Sequence, residues 1–224
     1  MTRLRERTRA VLFDLDGTLI DSAPDLAGTG NDMRTARGLA PLAYEDFRPM
    51  VGAGARGMLG IALQVTPEDE DFLALREEFL SRYEARMSRE TRVFDAMHPV
   101  LATLQASGTP WGIVTNKAER FTLPLVRTLS LHQHAAAIVG GDTTPHSKPH
   151  PAPLLEAARR LGMAPEACVY VGDDLRDVQA GRAAGMATVA AAWGYLGLGE
   201  PVSAWGADHV IETPGDLLNL LGLA

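Results

Sequence analysis

The strongest constraint on this chain is a series of short apolar runs in which apolar and polar residues do not alternate. They are Ala10-Val11-Leu12-Phe13, Trp111-Gly112-Ile113-Val114, Ala137-Ile138-Val139, Cys168-Val169-Tyr170-Val171 and Thr188-Val189-Ala190-Ala191, with a weaker one at His209-Val210-Ile211. A strand wetted on one side alternates, whereas a strand buried on both faces does not. Helical patterns lie between the runs. Val100, Leu101 and Leu104 precede Gly108, and Phe121, Leu125 and Leu129 share one face. Leu154, Leu155, Ala158 and Leu161 precede Gly162, and a short helix over 177–184 stops at Gly185. Strands alternating with helices predict an α/β fold with a parallel sheet covered on both faces. Ligands in such sheets bind beyond the carboxyl ends of the strands.

Residues 21–92 break this alternation. No strand-like run occurs there, while Phe72, Leu75, Phe79 and Tyr83 follow helical spacing, as do Leu26 and Met33. The expected organisation is a Rossmann-like core over residues 1–20 and 93–224 with an inserted all-helical cap over 21–92. The glycine-rich stretch Val51–Gly57 inside the insertion reads as a tight loop. The length, 224 residues, suits one core with an insertion, and 46% hydrophobic residues suffice for a packed interior.

Charge narrows the partners. A net charge of -7 argues against nucleic acid, which favours basic faces. It still permits an anionic substrate, because a metal ion and local cations can dominate one pocket. The single cysteine, Cys168, falls in an apolar run and reads as core, and it excludes an internal disulfide or a multi-thiolate metal site. The arginine-rich start, Thr2 to Arg9, reads as a solvated, fraying end. With no signal-peptide pattern and no stretch near the roughly 20 apolar residues of a membrane span, a cytoplasmic protein without a membrane partner is expected. Monomer and homodimer are both compatible with the sequence.

Chemistry gathers at four strand ends. In Asp14-Leu15-Asp16-Gly17-Thr18 the two carboxylates are two residues apart and face the same way on extended backbone. Close carboxylates repel, and a divalent cation is the simplest resolution. The second strand ends in Thr115-Asn116-Lys117, whose hydroxyl and amide suit phosphate oxygens ahead of a helix N-terminus. In Ser147-Lys148-Pro149 the proline holds Lys148 away from helical angles, presenting its ammonium to an anionic site. In Gly172-Asp173-Asp174-Leu175-Arg176-Asp177 the acids supply hard oxygens suited to Mg²⁺. Each motif alone is commonplace; their order and their shared position at strand ends are not.

That ordered set, with the helical insertion after the first strand, resembles the haloacid dehalogenase superfamily, and within it the phosphatases with a helical cap. The resemblance spans Val11 to about Ile211. It implies that Asp14 is the nucleophile and Asp16 the general acid/base. It also implies Thr115 and Asn116 at the phosphate, and Lys148 balancing charge. Mg²⁺ would be held by Asp14, the Asp16 carbonyl and Asp173, with Asp177 acting through water or its neighbours. Asp16 separates phosphatases and mutases from members that dehalogenate or pump ions, which lack an aspartate there. The role of Asp174 is left open.

Substrate choice should reside in the cap, where Gly54 and Arg56 are the candidates to reach the site. The overall pattern resembles phosphoglycolate phosphatases. The stretches 111–117, 172–177 and 205–208 resemble N-acetylmuramic acid 6-phosphate phosphatases more closely. The expected substrate is therefore a small phosphorylated metabolite, with the sugar phosphate slightly favoured. A β-phosphoglucomutase-like isomerase is the enzymatic alternative. A phospho-receiver switch is the non-enzymatic one, opposed by the large insertion. His146 and His150 flank Lys148 and are further pocket candidates.

Overall fold

All six apolar runs become strands of a single sheet, as the computed structural model, which describes residues 2–224, shows. In chain order the elements begin α1 (Thr2–Arg7), β1 (Ala10–Phe13), β2 (Ile20–Asp21), α2 (Ala23–Thr35), α3 (Tyr44–Phe47), α4 (Gly54–Leu63), α5 (Phe72–Glu84) and β3 (Arg92–Val93). They continue α6 (Met97–Ala106), β4 (Trp111–Val114), α7 (Glu119–Thr128), β5 (Ala137–Val139), α8 (Ala152–Leu161) and β6 (Cys168–Gly172). The chain ends with α9 (Leu175–Ala183), β7 (Ala187–Ala191), β8 (His209–Ile211) and α10 (Asp216–Leu221). The strand order is β5-β4-β1-β6-β7-β8, and every pairing is parallel.

Burial explains why the runs do not alternate. Val11 and Phe13 point into one apolar cluster, and Ala10 and Leu12 into a second on the opposite face. All four are fully buried. Phe13 meets Trp111 edge to face at 6.2 Å, a favourable aromatic geometry. The register sets the site. Phe13 lies beside Ile113 and Val171, and Val114 beside Val139, so residues just beyond these emerge together at one edge. The strand order also reverses at β1, where a crevice opens in sheets of this kind.

The chain leaves the core through β2, builds α2 to α5, and returns through β3, which pairs antiparallel with β2. Met33, Phe47, Met58, Leu59 and Phe79 are buried among these helices. No strand was expected over residues 21–92, yet Asp21 pairs with Arg92 in this ribbon. A two-residue strand is too short for any periodic signal.

Three further expectations are corrected. The basic start is helical, and Leu4 within it is only 8% exposed and joins the core. One apolar residue among the arginines is enough to tie the end down. The glycine-rich stretch is not a simple loop: a 3-10 turn over Arg48–Ala53 passes straight into α4, with Gly57 inside the helix. A Cβ at Gly57 would lie 2.6 Å from the Ala53 Cβ, so the glycine permits close packing of turn and helix. Helix α9 starts at Leu175, ahead of the expected 177, because Asp174 caps it.

Candidate active site

The parallel register brings Asp14, Thr115, Lys148, Asp173 and Asp177 to one wall of a cavity of about 430 Å³. Asp14 follows β1, and its backbone N–H donates to the Val171 carbonyl at 2.9 Å. Its Oδ1 lies 2.9 Å from the Lys148 ammonium. That ammonium already donates to the Val114 carbonyl at 3.1 Å, the Tyr170 hydroxyl at 2.8 Å and Asp177 Oδ1 at 2.7 Å. An ammonium has three protons. Lys148 therefore gives Asp14 chiefly charge, and no well-directed hydrogen bond reaches its buried Oδ1 among the described residues. Burial pushes Asp14 up to about 7, against the pull of Lys148. Lys148 is held above its ordinary value: burial opposes its charge, but Asp14 and Asp177 outweigh it.

Asp173 follows β6 and is fixed from two directions. Thr18 Oγ1 donates to its Oδ1 at 2.6 Å, and the Tyr195 N–H to its Oδ2 at 2.6 Å. Burial and the nearby Asp14 and Asp177 charges still raise its pKa well above the usual carboxylate range. Gly17, at φ +83°, makes the turn that admits this carboxylate, since a Cβ there would lie 2.1 Å from Asp173 Oδ2.

The residues present fit a hard divalent cation. Single oxygens of Asp14, Asp173 and Asp177 lie within 4.8 Å of one another, and Asp14 is crowded here with a buried oxygen that receives no well-directed hydrogen bond among the described residues. The backbone bridge at Asp16 uses the Leu15 carbonyl and the Gly17 N–H, leaving the Asp16 carbonyl outside it. Both Asp177 oxygens are engaged, Oδ1 by Lys148 and Oδ2 by the Asp174 N–H at 3.0 Å. This makes Asp177 better placed to orient its neighbours than to ligate directly.

Asp16 sits apart from this cluster's hydrogen bonds. Lys117 Nζ contacts both its oxygens, at 3.0 and 3.2 Å, and Ser22 Oγ donates to Oδ1. The same ammonium lies 4.7 Å from the centre of the Tyr83 ring on α5, a cation–π distance. Thr115 is 3% exposed, and its oxygen accepts the Lys117 N–H at 3.1 Å, leaving the hydroxyl proton free to donate. Asn116, expected at the phosphate, is differently engaged. Its amide donates to the Lys148 carbonyl and accepts the Lys148 N–H, each at 2.9 Å, so it clamps the lysine's backbone. Asp174 accepts from the Arg176 N–H and guanidinium, and Arg176 reaches the Gly52 carbonyl at 2.6 Å.

Gly54 and Arg56 do line the cavity, as expected from the sequence. His146 and His150 do not; they border a shallow surface depression with neighbouring prolines. Sequence reasoning missed Lys117, Tyr83, Arg76, Arg120 and Tyr195 as cavity residues. Lys117 was visible at a strand end, but its link to Asp16 spans 101 positions. Tyr195 lies in a loop after β7 and carries no local signal.

Comparison with known proteins agrees with this geometry. The family model of the haloacid dehalogenase-like hydrolases matches residues 11–191. A phosphoglycolate phosphatase of Xanthomonas campestris is 48% identical over 213 residues, covering 93% of this chain and 94% of that protein. An N-acetylmuramic acid 6-phosphate phosphatase of Pseudomonas aeruginosa is 39% identical over 220 residues, covering 98% and 97%. A crystal structure of a predicted phosphoglycolate phosphatase from Haemophilus somnus superposes with a TM-score of 0.83 at 26% identity, covering 96% and 98%. The chain thus belongs to the haloacid dehalogenase-like hydrolases.

Proposed function

We propose that this phosphatase is a Mg²⁺-dependent phosphomonoester hydrolase that works through an aspartyl-phosphate on Asp14, with N-acetylmuramic acid 6-phosphate or 2-phosphoglycolate as substrate. The observation that carries the mechanism is the Asp14 carboxylate: buried and paired with the Lys148 charge, yet with no well-directed hydrogen bond to Oδ1 among the described residues. Asp14, Asp173 and the Asp16 carbonyl would hold the cation, which offsets the repulsion between a carboxylate nucleophile and a phosphate dianion.

Asp14 attacks phosphorus and the ester oxygen leaves, taking a proton from Asp16. Asp16, then ionised, removes a proton from water as that water attacks the acyl phosphate. Lys117 holds Asp16 in place through both steps. Thr115 donates its hydroxyl to a phosphate oxygen, and Asn116 positions Lys148. Residues 21–92 form the cap over this site, with the β2–β3 ribbon as its attachment. A cavity of about 430 Å³ supports the sugar phosphate, because phosphoglycolate would leave much of it to water.

Phosphate release from both compounds, with and without Mg²⁺, tests this reading. Release is expected only with the metal, and Asp14→Asn is expected to abolish it while thermal unfolding stays cooperative. Turnover retained in Asp14→Asn would rule out the nucleophile assigned here.

A further inference from the structure

Asp16 is held differently from the rest of the site. Lys148, Asp173 and Asp177 take their partners from the sheet and the loops at its edge. The Asp16 carboxylate has two partners among the described residues, Ser22 Oγ and the Lys117 ammonium. Ser22 is tied to the core, because its N–H donates to the Tyr195 hydroxyl at 2.9 Å. The Lys117 ammonium has no such tie. It donates to Asp16 and to no other acceptor among the described residues, and its remaining neighbour is the face of the Tyr83 ring at 4.7 Å. Tyr83 comes from α5, in the helices between β2 and β3. It is 2% exposed and packs edge to face on Phe121 of α7, at 5.6 Å. One ring from α5 therefore rests on both the lysine head and the helix that follows the lysine. The Tyr83 hydroxyl is buried without a hydrogen-bond partner among the described residues, so the ring makes the contact.

A lysine stem has many rotamers, and ordering it costs free energy. Yet the Lys117 side chain is only 9% exposed and reaches both Asp16 oxygens, at 3.0 and 3.2 Å. One oxygen can therefore stay held while the other carries a proton. An aromatic face attracts an ammonium and shields it from water, which favours the one lysine position that meets Asp16. Resting on the reading of Asp16 as general acid/base, we infer that Tyr83 is a positioning residue for proton transfer: its ring, presented by α5, holds Lys117 on Asp16. In that transfer the Asp16 proton passes to the ester oxygen as the oxygen–phosphorus bond breaks and the Asp14–phosphorus bond forms. Delivery of the proton thus depends on the seating of α5 against the core.

The test compares kcat/KM for two esters. One is an alkyl ester, the faster of 2-phosphoglycolate and N-acetylmuramic acid 6-phosphate, whose alcohol needs a proton to leave. The other is p-nitrophenyl phosphate, whose phenolate leaves without one. Asp16→Asn sets the scale and is expected to lower the alkyl-to-aryl ratio by about 100-fold or more. Tyr83→Leu and Tyr83→Met, two ringless fillings of the same space, are expected to lower it by about 3- to 30-fold, the range of a cation–π contact. Tyr83→Phe, which keeps the ring, is expected to stay within about twofold of the parent ratio. Lys117→Met is expected to lower the ratio at least as far as Tyr83→Leu, and adding Tyr83→Leu to it should lower the ratio no further. Ringless variants that slow both esters equally, or that lower the ratio again in the Lys117→Met background, would overturn the role of Tyr83 and leave that of Asp16 intact. An Asp16→Asn variant that slows both esters equally would overturn both.

Discussion

At the scale of single residues, Cys168 shows how a strand position sets chemistry. It is 1% exposed at the start of β6, and burial, with Glu166 nearby, pushes its thiol from 9.0 up to about 11. A raised value in the folded state means that the neutral thiol favours folding below the unfolded value near 9.0, and that this contribution is lost as pH rises through 11. Iodoacetamide at pH 8 is therefore expected to leave the native protein unmodified and to label it at once in denaturant. Fast labelling of the native protein would contradict the burial. The clustering of the candidate site residues was legible for a related reason. Asp14, Thr115, Lys148 and Asp173 each sit just after a strand or in the loop beyond one, and a parallel sheet brings such places to one edge. What the sequence could not supply was which polar atoms each would use. Asn116 looked like a phosphate ligand because its neighbour Thr115 does, whereas its amide matches the Lys148 peptide group from 32 positions away.

At the scale of elements, the return from the helices between β2 and β3 depends on one buried carboxylate. Asp25, on α2, is fully buried, and its Oδ2 accepts the N–H groups of Glu90 and Thr91 and the Thr91 hydroxyl, at 2.8–3.0 Å. Arg86 Nε lies 3.5 Å from the other oxygen. These bonds hold the segment entering β3 against the start of α2. Asp25→Ala would strand two backbone donors and the Thr91 hydroxyl, while Arg86 keeps Asp32 and Glu90, and a loss of about 3 kcal/mol is expected in denaturant unfolding. A loss under about 1 kcal/mol would show that water replaces the carboxylate easily. The long elements were readable because their apolar residues repeat with a helical or strand period. The β2–β3 ribbon was not, because two residues have no period and the pairing joins positions separated by the entire insertion. The start of α9 was misplaced for a local reason: Asp174, whose role the sequence left open, forms a capping box with Asp177, so the helix begins at Leu175.

At the scale of the whole molecule, the insertion and core meet over the cavity through a few polar ties. Arg176 bonds the Gly52 carbonyl, and Arg48 donates to the Trp193 carbonyl while lying 5.2 Å from the centre of the Tyr195 ring. Tyr195 links both regions: its N–H holds Asp173, and its hydroxyl donates to Asp21 and accepts the Ser22 and Ala23 N–H groups. The acid cluster beneath is strained by its own charge, so a bound cation should stabilise the fold. Saturating Mg²⁺, near a hundred times its dissociation constant, is expected to add about 2.7 kcal/mol and raise the melting temperature, and Asp173→Ala is expected to abolish that rise. An unchanged melting temperature in the parent protein would mean that the folded chain does not bind Mg²⁺ at that concentration, and would contradict the site. The central claim, a covalent phosphate on Asp14, is tested most directly by the stereochemical course at phosphorus with an isotopically chiral phosphate ester. Two successive in-line displacements, first by Asp14 and then by water, predict retention of configuration. Inversion would mean that water attacks the substrate directly and would contradict the account.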